Sequence, residues 1–257
     1  MRKFFLLFLL FPFLSVEAQQ RSLFRLGIEY GVLQMSQEID NRWEIRQNIT
    51  PHTTKNYHSD KNTMGGGTIN YGGLKADVSI WKERINLASG LRYTNIKEEI
   101  LPGGNISHLY LYYPSDRGIE FFRLSGIHES EGFVTIPLEV DFLILGERSN
   151  WQIYVKGGIQ AGMKIHGKTR FEFTSREMEK YKNELLTTYC NKQNKFFSNA
   201  YGSLGLRLIL RNGVRLSAEL LSSAVFLSKN NLNLLAPKSQ PGVQCMISFP
   251  FNFLMNR

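Results

Sequence analysis

Five histidines, His52, His58, His108, His128 and His166, are the side chains in this sequence best suited to hold a metal or move a proton. A metal centre needs several His, Cys or carboxylate ligands at close spacing. None of the five sits in such a group, and His52 and His58 share a polar stretch where solvated side chains are the simpler reading. Nucleophilic catalysis has no better foothold: there is no Gly-x-Ser-x-Gly elbow, no His-Glu-x-x-His pair and no glycine loop set to cradle a phosphate between strand and helix. His128, Ser130 and Glu131 lie near one another, but ordinary loop chemistry accounts for them. The expectation is a protein that is not an enzyme and carries no cofactor.

The charges that do form a pattern are Arg92, Glu139, Asp141, Lys156, Arg207, Arg215 and Glu219, each alternating with apolar neighbours. Their chemistry is mutual: carboxylates and cations on one face of a sheet neutralise each other by ion pairs and hydrogen bonds in an interior shielded from water. Glu139 or Asp141 with Lys156 are candidate pairs on neighbouring strands. An eight-stranded barrel has an interior just wide enough to be filled by side chains. These seven residues are therefore expected to form a packed network in the lumen, with little conductance.

Eight stretches carry the period of two that a half-buried strand requires: residues 23–35, 69–80, 85–96, 134–144, 151–165, 196–210, 214–226 and 243–253. The fourth is the clearest, with Val134, Ile136, Leu138, Val140, Phe142 and Ile144 opposite Thr135, Pro137, Glu139 and Asp141. Two carboxylates on an inner face suit a polar lumen better than a dry core. On the apolar side, Val78, Leu91, Val140, Ile159, Leu206 and Leu220 are expected to face lipid. The connections alternate in length. Residues 81–84, 146–150 and 211–213 read as tight turns, the last on an Asn-Gly pair, whereas 36–68, 97–132, 166–195 and 228–242 read as long loops. Within them, 175–189 reads as a short surface helix, and the aromatic-rich 104–128 and charged 175–190 are the expected contact segments.

The N-terminus supplies the address. Met1-Arg2-Lys3, an apolar run from Phe4 to Leu14, and small residues before the cut read as a signal peptide over 1–18, leaving a domain at 19–257. A helical anchor is the competing reading, but the run is short for a bilayer and polar residues follow it at once. The formal charge of +9 falls only to +8 when Arg2, Lys3 and Glu17 leave, and the bases are scattered without a tract, so export argues against nucleic acid. Cys190 and Cys245 are the only cysteines and do not make a disulfide framework. Loop sorting and strand period together predict an all-β chain: an eight-stranded antiparallel transmembrane β-barrel with long extracellular loops and short periplasmic turns. A soluble exported barrel of lipocalin type, apolar inside, is the alternative.

Three segments also resemble the PorT-like outer-membrane β-barrel family of Bacteroidota. They are Leu26-Gly27-Ile28-Glu29-Tyr30-Gly31-Val32, Phe133-Val134-Thr135-Ile136-Pro137-Leu138-Glu139-Val140, and the stretch from Trp151 to Met163 with Tyr154, Gly157, Gly158 and Gly162. The resemblance covers most of the mature chain. It implies an integral protein of the cell outer membrane with no catalytic residues, and one branch of the family is associated with secretion machinery. The chain departs from the usual pattern by ending on Leu254-Met255-Asn256-Arg257 instead of an aromatic residue. The expected function is that of a non-enzymatic interaction or assembly component acting through its surface loops, with a narrow channel or a secretion accessory as the alternative. Its expected partners are outer-membrane lipid and glycolipid and proteins met through the loops, with no nucleic acid. The protein is expected to be monomeric, with both termini on the periplasmic side.

Overall fold

The computed structural model describes residues 24–251 apart from 41–42, 44, 47–62, 82–83, 104–106, 116–117, 148, 191–194 and 229–233. The expected signal peptide, most of the first long connection and the six C-terminal residues 252–257, with the end of the eighth expected strand, lie outside the described residues. Among the described residues, eleven strands form a single sheet. In chain order they are β1 (Phe24–Met35), β2 (Ile45–Arg46), β3 (Thr63–Ile80), β4 (Ile85–Pro102), β5 (Leu109–Ser115), β6 (Gly118–Leu145), β7 (Trp151–Phe173), β8 (Phe196–Ile209), β9 (Arg215–Leu221), β10 (Val225–Phe226) and β11 (Ser239–Pro250). A 3-10 helix at Arg176–Tyr181 leads into helix α1 at Lys182–Cys190.

Alternation makes these strands, and tight turns register them. The Asn-Gly pair is used as a hairpin: the Gly213 amide donates to Leu210 at 2.9 Å, and Gly213 adopts φ +79, which a side chain would resist. Gly146 does the same after β6, at φ +94. All pairings between the strands are antiparallel. The longest order is β10-β8-β9-β11-β1-β3-β4-β6-β5-β2, and β7 bonds to both β6 and β8. Each of β1, β3, β4, β6, β7, β8, β9 and β11 is therefore bonded on both sides, and side chains from distant strands meet on the shielded face.

The expected eight-stranded barrel with long irregular loops is corrected by this arrangement. Among the described residues there are eleven strands, and their order ends on β2 and β10, so the sheet is not a uniform set of eight. Three strands are minor additions: β2 and β5 are added beside β6, and β10 continues the line of β9 after a break at 222–224. The larger error concerns the loops. β3, β4, β6 and β7 run far into the stretches assigned to loops, and β5 forms a hairpin with β6 inside 97–132.

The reason lies in the side chains. Along β4, Leu87, Leu91 and Tyr93 point outward and Asn86, Arg92 and Thr94 inward; beyond them the faces exchange character, with Lys97 and Glu99 outward and Ile96 and Ile100 inward and buried. On β6 the outward apolar series of Val134, Ile136, Leu138 and Phe142 gives way to His128 and Ser130, while Phe133 and Ile127 are buried within. A bulge where Gly132 faces His166 and Phe133 faces Lys164 shifts β7, so that Lys168 and Arg170 point out and Phe171 points in. The lower wall thus has an apolar exterior and a polar interior, and the upper wall the reverse.

The upper interior is an apolar cap. Leu33, Met35, Ile96, Ile100, Leu109, Leu111, Phe122, Leu124 and Ile127 pack there with Leu185 of α1 and with Leu234 and Leu235 from the segment before β11. Trp43 stacks on Tyr189 with ring centroids 4.7 Å apart. Lower down, Gly205 stands where any Cβ would overlap the Tyr154 ring, so glycine admits a large inward side chain. Gly158 similarly leaves room for Tyr201 and Glu139, its absent Cβ falling 2.9 Å from each.

Candidate functional site

The polar interior divides into tiers along the strands. In the middle tier Glu139 of β6 is the hub. It pairs with Lys75 of β3, with Arg92 of β4 at 2.9 Å and with Lys156 of β7 at 3.3 Å, and it accepts a hydrogen bond from the Tyr201 hydroxyl of β8. Glu29 of β1 takes Arg92 at 2.7 Å and Lys75 at 3.0 Å, and accepts from the Gln244 amide of β11 at 3.1 Å. Glu219 of β9 pairs with Lys156 and accepts from Tyr154 at 2.6 Å and Ser203 at 2.8 Å. The Arg92 guanidinium also donates to Gln160 at 2.8 Å and lies 4.3 Å from the centre of the Tyr71 ring. Three cations thus meet three carboxylates in this tier.

Toward the short turns, Asp141 takes Arg207 at 2.7 Å and the Asn86 amide at 2.5 Å, and Asp77 faces Arg215 at 3.6 Å. Arg25 donates to Ser79 at 3.4 Å. Among the described residues, three arginines face two carboxylates at this end of the interior. The structure brings Arg92, Glu139, Lys156 and Glu219 together in the middle tier and Asp141, Arg207 and Arg215 in the lower one. The seven-residue expectation from the sequence did not include Glu29, Lys75, Asp77 and Arg25, which complete these pairs. It missed the bridging roles of Tyr71, Tyr201, Gln160 and Gln244. Residue type does not reveal which polar side chains reach across a wall.

Above the middle tier, three carboxyls point inward from strands that the sequence reading assigned to a loop: Glu98, Glu129 and Glu131. Glu98 accepts the Leu234 backbone amide at 3.0 Å and so ties the cap to β4. Glu131 pairs with Lys164, and Glu129 accepts from Thr169 at 3.3 Å. Burial pushes the Glu98 carboxyl up to about 8, reinforced by Glu129 and Glu131. Burial, then Glu129, lifts Glu131 to about 7.

The segments expected to make contacts contribute mainly to the cap. Leu109, Leu111, Phe122, Leu124 and Leu185 turn inward, while Arg123, Glu177, Glu179 and Lys182 remain exposed. Among the described residues, no group of three or more His, Cys, Asp or Glu side chains is arranged to hold a metal. His128 lies 3.6 Å from both Glu99 and Glu172 on the outer face. Ser130 points the same way, but Glu131 points inward, so the trio does not share one face.

No family model matches the sequence, and no curated protein matches it. The PorT-like resemblance therefore rests on the three quoted segments alone. Among solved structures, the chain is similar to an outer membrane channel from Pseudomonas putida F1, at 10% identity over 91% of this chain and 99% of that one, with a TM-score of 0.28. It is also similar to the translocator domain of autotransporter NalP from Neisseria meningitidis, at 9% identity over 90% of each chain, with a TM-score of 0.24. Similarity at that level carries no argument about function.

Two outcomes follow from the buried carboxyls. Glu139→Gln leaves three cations without their shared anion and is expected to destabilise the fold by about 3–5 kcal/mol, read by chemical unfolding in detergent. Glu98 and Glu131 have raised folded-state values, so their contribution is fully present below the ordinary carboxyl range and is lost as pH rises through about 7 and then about 8. Hydrogen exchange at the Leu234 amide, corrected for the intrinsic rate, is expected to accelerate over that interval. Glu98→Gln is expected to remove most of the pH dependence.

Proposed function

We propose that this chain is a non-enzymatic integral protein of the outer membrane, sealed inside and acting by binding at its outer surface. The observation that carries the reading is the outward apolar belt over a neutralised ionic interior. Leu74, Leu91, Leu138, Ile159, Leu206 and Leu220 are exposed on the lower wall while Glu29, Arg92, Glu139 and Lys156 are buried behind them. In water this arrangement wastes apolar surface, and in a bilayer it matches each face to its surroundings. Trp81 and Trp151 stand at one margin of the belt and Tyr30 and Tyr93 toward the other, as interfacial aromatics do. The strands Phe24–Met35 and Ser239–Pro250 begin and end side by side, with Arg25 opposite Pro250, which supports both termini lying on the periplasmic side behind a signal peptide at 1–18.

Above the belt, the apolar cap joins the outer segments into one body, so contacts fall to exposed polar groups. The helical excursion of 175–190 offers Glu177, Glu179, Lys180 and Lys182. Its charges support a protein partner. A narrow channel is the second reading, favoured by the excess of arginine over carboxylate in the lower tier.

Two measurements on the purified full-length chain test these readings. Leu91→Arg and Ile159→Arg are each expected to cost roughly 2–4 kcal/mol of stability in bilayers, whereas Arg at Lys97 beyond the belt is expected to be near neutral. Planar-bilayer recording is expected to give no stable open level. A large single-channel conductance would favour the channel, and recovery as a soluble periplasmic monomer would overturn the membrane reading.

A further inference from the structure

Immediately outside the apolar belt, four adjacent strands carry two rows of directly opposed outward positions. One row is Thr68, Lys97, Ser130 and Lys168; the next is Gly66, Glu99, His128 and Arg170. A cavity of about 410 Å³ opens here, lined by both rows together with Gly67, Glu98 and Glu129. Gly66 contributes to the opening because it places no side chain over the groove.

The charges in the groove are not all alike. Glu99 and Glu172 lie 3.6 Å from His128, and Glu172 also takes Arg170 at 3.5 Å. Glu172 is therefore paired with Arg170, and Glu99 faces the His128 ring. Lys97 and Lys168 are exposed and make no ion pair among the described residues; Ser130 lies on the strand between them, its hydroxyl donating to Asn95 at 3.3 Å. Two ammonium groups without an ion pair, two strands apart at the mouth of a groove, are suited to a compact anion with several acceptor oxygens.

Depth selects the anion. Lys97 lies four residues beyond Tyr93 on β4, about 13 Å along the strand, and Lys168 three residues beyond the exposed Ile165, about 10 Å. That distance carries the ammonium groups past the hydrocarbon edge to the level of lipid headgroups, with the apolar belt below to receive acyl chains. We infer that this groove binds the phosphate group of an anionic glycolipid of the outer leaflet, with Lys97 and Lys168 as its direct ligands and Thr68, whose hydroxyl accepts from Asn70, as a hydroxyl donor. The inference rests on the membrane reading above.

The test uses the full-length protein in nanodiscs of neutral phosphatidylcholine doped with a phosphorylated lipid A, or with the same glycolipid after its phosphates are removed. Retained glycolipid per protein is measured by native mass spectrometry. The phosphorylated form is expected to be retained about tenfold better at low salt, and Lys97→Gln with Lys168→Gln is expected to abolish the preference. Both lysines are exposed, and unchanged heat-modifiable mobility verifies that the variant is folded. Equal retention of the two glycolipids, or equal retention by the variant, would overturn the inference while leaving the membrane reading intact. Full displacement by millimolar inorganic phosphate would identify a free-phosphate site and also overturn it. Failure of the wild-type protein to enter nanodiscs would instead refute the membrane reading and, with it, this one.

Discussion

A carboxylate surrounded by three cations and removed from water is tolerable only if every member is held in place. Glu139 imposes that condition on the fold. Its partners come from β3, β4, β7 and β8, and through Lys75, Arg92 and Lys156 they engage Glu29 on β1 and Glu219 on β9. Losing one strand from register would expose or orphan charges contributed by several others. Taking isolated charges out of water costs several kcal/mol apiece, and the pairing returns that energy only when the geometry is complete. The network therefore specifies register more than it adds net stability. Glycine at 158 and 205 serves the same end by admitting Tyr201 and Tyr154, whose hydroxyls donate to Glu139 and Glu219.

The second constraint is the reversal of the wall. Below Tyr93 the outer side is apolar and the interior ionic; above it, Lys97, Ser130 and Lys168 face outward while Ile96, Ile100 and Phe133 pack within. The strands themselves continue, so the change is in the surroundings of the two faces and not in the backbone. An outer side in water can be polar, and an interior under a polar exterior can be an ordinary apolar core, which the hydrophobic effect then stabilises. One continuous sheet thus combines two construction rules. Glu98, Glu129 and Glu131 lie where the rules meet. Glu98, largely protonated at neutral pH, can occupy an apolar region and hold the cap through Leu234.

The same reversal explains what was legible in the sequence. The lower parts of the strands were readable because a period of two was combined with a consistent apolar side, as in Val134, Ile136 and Leu138. Arg92, Glu139, Lys156 and Glu219 could be placed on one face by parity alone. The upper strands were hidden: in Ile96-Lys97-Glu98-Glu99-Ile100 the alternation persists, but the apolar residues have moved to the opposite parity and Glu98 interrupts them. Read with the lower rule, such a stretch looks like loop. Leu109, Leu111, Phe122 and Leu124 alternate as well, but their role as a cap depends on Leu185 and Leu234, far away in sequence. Gln160, Gln244 and Tyr71 could not be assigned because their partners lie across the interior.

The reversal along β4 is open to direct measurement. Spin labels placed singly at the outward positions 87, 89, 91, 93, 95, 97 and 99, in a background with both native cysteines replaced, report relative exposure to oxygen and to a water-soluble nickel chelate in bilayers. Oxygen is expected to dominate at 87–93, and the chelate from 95 onward, with the crossing just beyond Tyr93. Uniform access of the chelate from 87 to 99 would contradict the account and return the apolar face to water.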